Sequence, residues 1–398
     1  MNMKLTLLGV MMLLFTSLSA QEIKTDTFGK GIFNVVGKDS TFSMNFAIRF
    51  QLLGFSSWTE HQPNELSFLV RRSRLKLKGF VYSPKLKYKF EAGFSNRDMS
   101  GGSEDFTHGS PRFIMDAFLE WGYYKNLSLW VGQGKLPGNR ERVMSSADLQ
   151  LVDRSLLNGK FNIDRDIGVQ LKHYFHLSEK FIVKEILSIS QGEGRNITTG
   201  NLGGLQYVGR IELLPFGKFK NKGDYTGADL VREKTPKLAI GTSYEFNNDA
   251  VRERSNQGRY MLIDDDSALF KSNINTVFID GIFKYKGYSF MFEYANRNAD
   301  DPIAKNSDGS ATGDIIQVGN ALNLQSGYVF PSNWEIAGRF TNLNMDEITM
   351  ENSRDMYTLG LSKYIVGQKL KVQSDCSYIS NNGRPNEILA RLQIDVHF

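Results

Sequence analysis

The sequence predicts an all-β protein, a transmembrane antiparallel barrel of about sixteen strands, and three observations predict it. Apolar residues recur at every second position over long runs. The connections between those runs alternate between short and long. The chain opens on an apolar segment too short to cross a bilayer as a helix.

That opening segment is read as a secretory signal. Lys4 carries the positive charge, Leu5 to Thr16 are almost wholly apolar, and Ser17, Ser19 and Ala20 supply small residues before Gln21. A dozen or so apolar residues fall short of the roughly 20 that a transmembrane helix needs. Residues 1–20 are therefore expected to be a signal peptide, 21–40 an N-terminal periplasmic segment, and 41–398 the outer-membrane barrel. The single cysteine, Cys376, cannot form an internal disulfide. His61, His108, His173, His176 and His397 form no HxxxH or HExxH pair and no CxxC occurs, so no metal or cofactor is expected. The net charge of +5 discriminates little; the placement of the charges says more.

Residues 41–54 put Phe42, Met44, Phe46, Ile48, Phe50 and Leu52 on one face and Ser43, Asn45, Arg49 and Gln51 on the other. A period of two is a strand with one side in lipid and one in water; a helix would scatter these residues around its circumference. The same code predicts strands at 41–54, 67–82, 86–95, 113–124, 127–135, 164–175, 180–190, 205–214, 237–246, 275–285, 288–297, 319–330, 334–342, 354–365, 369–380 and 387–398. Short connections such as Lys125-Asn126 and Lys286-Gly287 alternate with long polar ones, as periplasmic turns alternate with external loops. Residues 215–236 break the pattern: a short turn is due there and the segment is long, either a periplasmic excursion or a miscounted strand. A soluble sandwich also alternates. Here, however, the apolar face is rich in aromatics and the other face is charged along whole strands. Phe398, on an alternating strand, resembles the signal read by the barrel-assembly machinery.

The second and third strands carry the functional signal. Arg72, Arg74, Lys76 and Lys78 share one face, opposite Leu75, Leu77 and Val81; Lys85, Lys87 and Lys89 share the next polar face. Charges on the lipid side are costly at mid-depth, so all seven are expected in the lumen. Rows of arginine and lysine line anion and phosphate pores, and the forked guanidinium suits phosphate. Solvated inward charges without selectivity are the bland alternative. Few acids, Glu91 above all, break the row, which favours selectivity. The third long connection, Gly134 to Asn162, holds Arg140, Arg142 and Arg154 and a helix-like piece from Ala147 to Leu157 capped by Ser145 or Ser146. Composition leaves open whether it folds inward or caps the mouth.

The runs VGQGKLPGNRERVMSSADLQLVDRSLLN (131–158), DRDIGVQL (164–171), RRSRLKLKGFVYSPKLKYKFEAGF (71–94) and YVGRIELLPFGKF (207–219) resemble the phosphate-selective porin O and P family. The likeness covers essentially the whole mature chain. It implies a sixteen-stranded outer-membrane barrel in a Gram-negative bacterium, usually a homotrimer, with the third external loop folded into the lumen. It also implies basic side chains that guide phosphate to a constriction, which makes Arg72, Arg74 and the loop arginines Arg140, Arg142 and Arg154 the leading candidates. Glu141, Asp148 and Asp153 lie among those arginines and weigh against phosphate preference.

The expected function is passive passage of small anions, phosphate or polyphosphate first. The alternatives are a channel for other small solutes, a surface barrel hydrolase, and a structural or adhesive barrel. The hydrolase lacks a GxSxG elbow or a histidine in a catalytic setting. Uninterrupted inward lysines argue against an adhesive barrel with a plugged lumen.

Overall fold

A backbone crossing hydrocarbon must bond all its amides internally, and a closed sheet does so without leaving an edge. The computed structural model of the chain describes residues 22–24, 28–100, 111–197 and 200–398. The expected signal segment and His108 lie outside the described residues. Sixteen antiparallel strands form the wall. They are β1 Phe42–Thr59, β2 Glu65–Val81, β3 Ser83–Gly93, β4 Ile114–Tyr124, β5 Leu127–Lys135, β6 Arg165–His176, β7 Ile182–Ser190 and β8 Gln206–Leu214. The second half comprises β9 Lys237–Ala250, β10 Ser272–Tyr285, β11 Tyr288–Ala299, β12 Gly319–Val329, β13 Trp334–Met345, β14 Arg354–Val366, β15 Leu370–Asn381 and β16 Glu387–His397. Neighbours in sequence pair in space, and β16 pairs with β1 from His397↔Arg49 to Glu387↔Thr59, which closes the ring.

Every strand expected from the alternation is present. Several run further toward the long-loop rim than the sequence suggested: β1 extends to Thr59 and β9 to Ala250. The first external loop is correspondingly 60–64 rather than 55–66. Below Arg49, where β16 has ended, the free edge of β1 is taken by Phe33–Val36, paired with Ser43–Phe46. Glu22–Lys24 adds one more short strand outside it.

The wall has the inverse of a soluble core. Phe68 is 80% exposed and Leu359 65%, whereas Gln51, Glu245, Asp280 and Glu293 on inward faces are fully buried. Outward aromatics gather toward both rims: Trp121, Tyr124, Tyr288, Tyr328 and Trp334 toward the short turns, Trp58, Tyr207 and Tyr378 toward the long loops. These are the interfacial girdles of a membrane barrel.

The lumen is filled on one side. Loop L3, residues 136–164, descends into it. Leu136, Leu157, Phe161 and Ile163 pack against the inward Val208, Phe278, Ala295, Ala321 and Leu343 of β8 and β10–β13. The expected helix from Ala147 to Leu157 does not form; the two short helices are Arg140–Val143 and Leu156–Lys160, the latter capped by Ser155. The reason is competition for backbone groups. The Val152 amide donates to Asp375 (3.0 Å), and the carbonyls of Leu149 and Asp153 accept from Lys371 (3.0 Å) and Arg339 (2.8 Å) of the wall.

The irregular 215–236 connection is the periplasmic excursion, and it turns back into the barrel. Phe219 packs with Met144 of L3, Leu214 and Ile282. The Gly227 amide donates to the Asp148 carbonyl at 2.8 Å, so the two insertions meet. A Cβ on Gly227 would stand 2.9 Å from the Gln150 backbone nitrogen and side chain, which fixes glycine at that junction.

The lipid-facing assignment is directly testable. Leu359→Lys on the outer face of β14 should cost about 2–4 kcal/mol. It is read as a lowered urea midpoint for folding into phospholipid vesicles, and Leu359→Ala should cost far less.

Candidate functional site

With L3 and the 215–236 segment packed against β8–β15, open space remains along the β2–β6 wall. A cavity of about 370 Å³ there is lined by eleven basic and four acidic side chains. A second, of about 510 Å³, lies among the external loops and shares Arg97, Arg142, Asp164, Arg165 and Arg195 with the first. The two adjoin, and both are predominantly basic.

The expected residues divide into three groups. Arg72, Arg74, Lys76, Lys89, Arg142 and Arg154 line the inner cavity. Lys78, Lys85 and Lys87 follow the same strand faces toward the short-turn rim, where they are exposed, but they do not line it. Arg140 does something else. Fully buried, it donates to Asp280 (2.9 Å) and Glu212 (3.1 Å), beside Arg210, which holds the same two carboxylates. It anchors L3 to the wall at β8 and β10, away from the residues that line the cavity.

The column of cations is not bare. Arg74 is held by Glu91 (3.0 Å) and Asp98 (2.7 Å), and Lys76 lies 3.7 Å from Glu91. Lys89 bridges Glu91 (2.9 Å) and Asp116; Arg165 bridges Asp116 (2.6 Å) and Asp164 (3.6 Å); Asp164 pairs with Arg142. Fixed carboxylates therefore relieve much of the repulsion that a row of like charges creates. The surplus is still positive. Arg154 donates to the carbonyls of Glu141 (2.9 Å) and Met144 (2.8 Å), and Arg195 to those of Asp98 (2.6 Å) and Arg112 (2.9 Å). Carbonyl partners fix a guanidinium without cancelling its charge.

L3 is pinned at this wall too. The Lys135 ammonium donates to the Arg142, Val143 and Met144 carbonyls at 2.9, 2.9 and 2.6 Å, capping the short helix at its negative end. Asp153 accepts from Arg71 at 2.7 Å, with Arg391 at 3.6 Å. Burial pushes the Asp153 carboxyl up, but Arg71, Arg72, Arg391 and Arg97 outweigh it and hold it well below the usual range. Asp164, also buried, is held low in the same way by Arg142 and Arg165.

Sequence reasoning missed Arg71, Arg165, Lys135 and Asp116. The ladder skips from Gln51↔Arg72 to Leu52↔Val70, so Arg71 is a bulged residue beside Arg72, and its side chain reaches Asp153 inside the barrel. Arg165 shares parity with the outward Ile167 and Val169, yet its place at the strand's first residue, opposite Lys135, lets it swing to Asp116. The double arginine at 71–72 was the visible sign of the bulge. Strand ends next to L3 gave no such sign.

A model of the family described as phosphate-selective porin O and P matches residues 42–388. An uncharacterized protein of Aquifex aeolicus (strain VF5) is 24% identical over 361 residues, 83% of this chain and 80% of that one. Among solved structures, the anion-selective porin from Comamonas acidovorans aligns over 90% of this chain and all of that one, at 10% identity and TM-score 0.54. Salmonella typhi OmpF, in complex with daunomycin, aligns over 90% and 98% at 12% identity and TM-score 0.55. At such identities the solved structures establish the barrel fold.

Two outcomes follow from the anchoring of L3. Arg140→Ala removes one partner of a buried ion cluster, a loss of about 3–5 kcal/mol. The variant should show a larger single-channel conductance and protease cleavage within 136–164; unchanged conductance would mean that the loop stays docked without it. Asp153 and Asp164 have folded-state pKa values depressed below the unfolded value of about 4. Their stabilisation is complete above that value and is lost only as pH falls through the depressed values. Conductance at pH 4.5 should therefore match that at pH 7, and an increase between the two would count against this anchoring.

Proposed function

The chain belongs to the phosphate-selective porin O and P family, whose members are outer-membrane channels rather than enzymes, and on that premise we propose that it passes small anions, phosphate first. The observation that carries this reading is the inner cavity, where basic side chains outnumber acidic ones by eleven to four and the surplus guanidiniums are fixed by carbonyls. Such a passage repels cations electrostatically and offers an anion several moderate stations in series, as conduction requires. Arg142, Arg154 and Arg165 are the station where L3 meets the wall. Arg72, Arg74, Lys76 and Lys89 continue it, and Lys78, Lys85 and Lys87 draw anions onward at the short-turn rim. Phosphate preference draws support from the forked guanidiniums. The interleaved Glu91, Asp98, Asp116 and Asp164 favour weak, rapid binding over tight capture. In this reading residues 1–20 direct export, Phe398 engages the assembly machinery, and three copies associate through their apolar outer faces.

Purified protein in a planar bilayer under a potassium chloride gradient should give a reversal potential on the chloride side, and added phosphate should lower the chloride current. Cation preference would end the proposal. An unaltered chloride current in phosphate would leave a general anion channel. Lys76→Glu should lower the chloride-to-potassium permeability ratio several-fold, and an unchanged ratio would place Lys76 outside the path.

A further inference from the structure

One part of the inner cavity is not explained by charge. Phe118 and Trp130 line it among the cations, and a ring face offers an inorganic anion neither a charge nor a hydrogen-bond donor. Their neighbours Leu119 and Val131 face outward and are exposed, so the strands have not turned over; these two aromatics belong to the lumen face.

The wall is shaped around them. Phe118 on β4 stands opposite Lys89 of β3 on one side and Gly132 of β5 on the other. The two ring centroids are 4.9 Å apart and the planes are inclined by 41°. Trp130 is buried and Phe118 half-buried, so the indole backs the phenyl ring. A Cβ on Gly134 would stand 2.8 Å from the indole and 3.3 Å from the phenyl ring. Glycine there gives both rings their room against the wall. The Lys172 ammonium sits 5.8 Å from the indole centroid, in the range of a cation–π contact.

The geometry points to a subsite for aromatic carboxylates: the phenyl face of Phe118 receives the aryl ring while the Lys172 ammonium receives the carboxylate. This rests on the anion-channel reading and names a solute class for the same passage. An aromatic pair contributes beyond apolar burial through its ring quadrupoles, and the neighbouring cations provide the charge complement that an inorganic anion uses alone. No bond is made or broken; the effect is a longer residence of aryl anions in the cavity.

The test uses the full-length protein in planar bilayers at pH 8, where benzoate, cyclohexanecarboxylate and acetate are all ionised. Each is titrated against the chloride current. Half-block by benzoate is expected at about five-fold lower concentration than by acetate, the weight of one aromatic contact. Cyclohexanecarboxylate, equal in bulk but without a π face, should fall clearly nearer acetate. In Phe118→Leu the benzoate-to-acetate ratio should approach one. The ratio is taken within each protein, so a change in overall conductance does not enter. Equal block by the three anions in the wild-type protein overturns the subsite and leaves the anion channel standing, as does a ratio that persists in Phe118→Leu. Benzoate and cyclohexanecarboxylate acting alike overturns the aromatic claim without any variant. A cation-selective reversal potential instead removes the channel reading, and this proposal falls with it.

Discussion

The closure of β16 on β1 is the constraint on which the rest depends. Once every wall amide is paired around the ring, each residue has only two directions, into lipid or into the interior. Bulky apolar groups go outward because lipid accepts them, and ionisable groups are left to meet inside. The interior is then a confined, polar space in which charges must find one another. The ion-paired ladder from Lys76 to Arg142 is the result, and so is the Arg140–Arg210–Asp280–Glu212 cluster on the other side.

Those two clusters have opposite consequences. On the β8–β10 side, guanidiniums and carboxylates balance and exclude water, which makes that half a solid support for L3. On the β2–β6 side, carboxylates are too few, and carbonyl groups hold several of the remaining cations. The first arrangement is mechanical and the second leaves a field. One loop joins them: Arg140 is pinned to the balanced cluster, and two residues on, Arg142 lines the unbalanced cavity.

How much of this could be read from the chain follows from what each residue touches. All sixteen strands were legible, because lipid on one face imposes a period of two that no loop can disguise. The inward placement of Arg74, Lys76 and Lys89 was legible for the same reason. The filled half was only partly so. β10 carries Ile274, Phe278 and Ile282 on its inner face as well as Ile279 and Phe283 on its outer one, a doubly apolar strand whose inner side had to meet protein rather than water. Arg71 was hidden by a bulge and Arg165 by a strand end, the two places where parity loses its meaning. The path of L3 was illegible from local sequence, since its backbone is bonded to wall residues as distant in the chain as Asp375 and Lys371.

The meeting of L3 with the 215–236 segment at Gly227 separates two properties that a β-barrel ordinarily ties together. Strand number and shear set the diameter of the cylinder. In this chain the width left for a solute is set by two stretches entering from opposite openings. The bore can therefore be widened, narrowed or recharged by changes in those stretches alone. The wall, with its register and its fit to the bilayer, stays as it is.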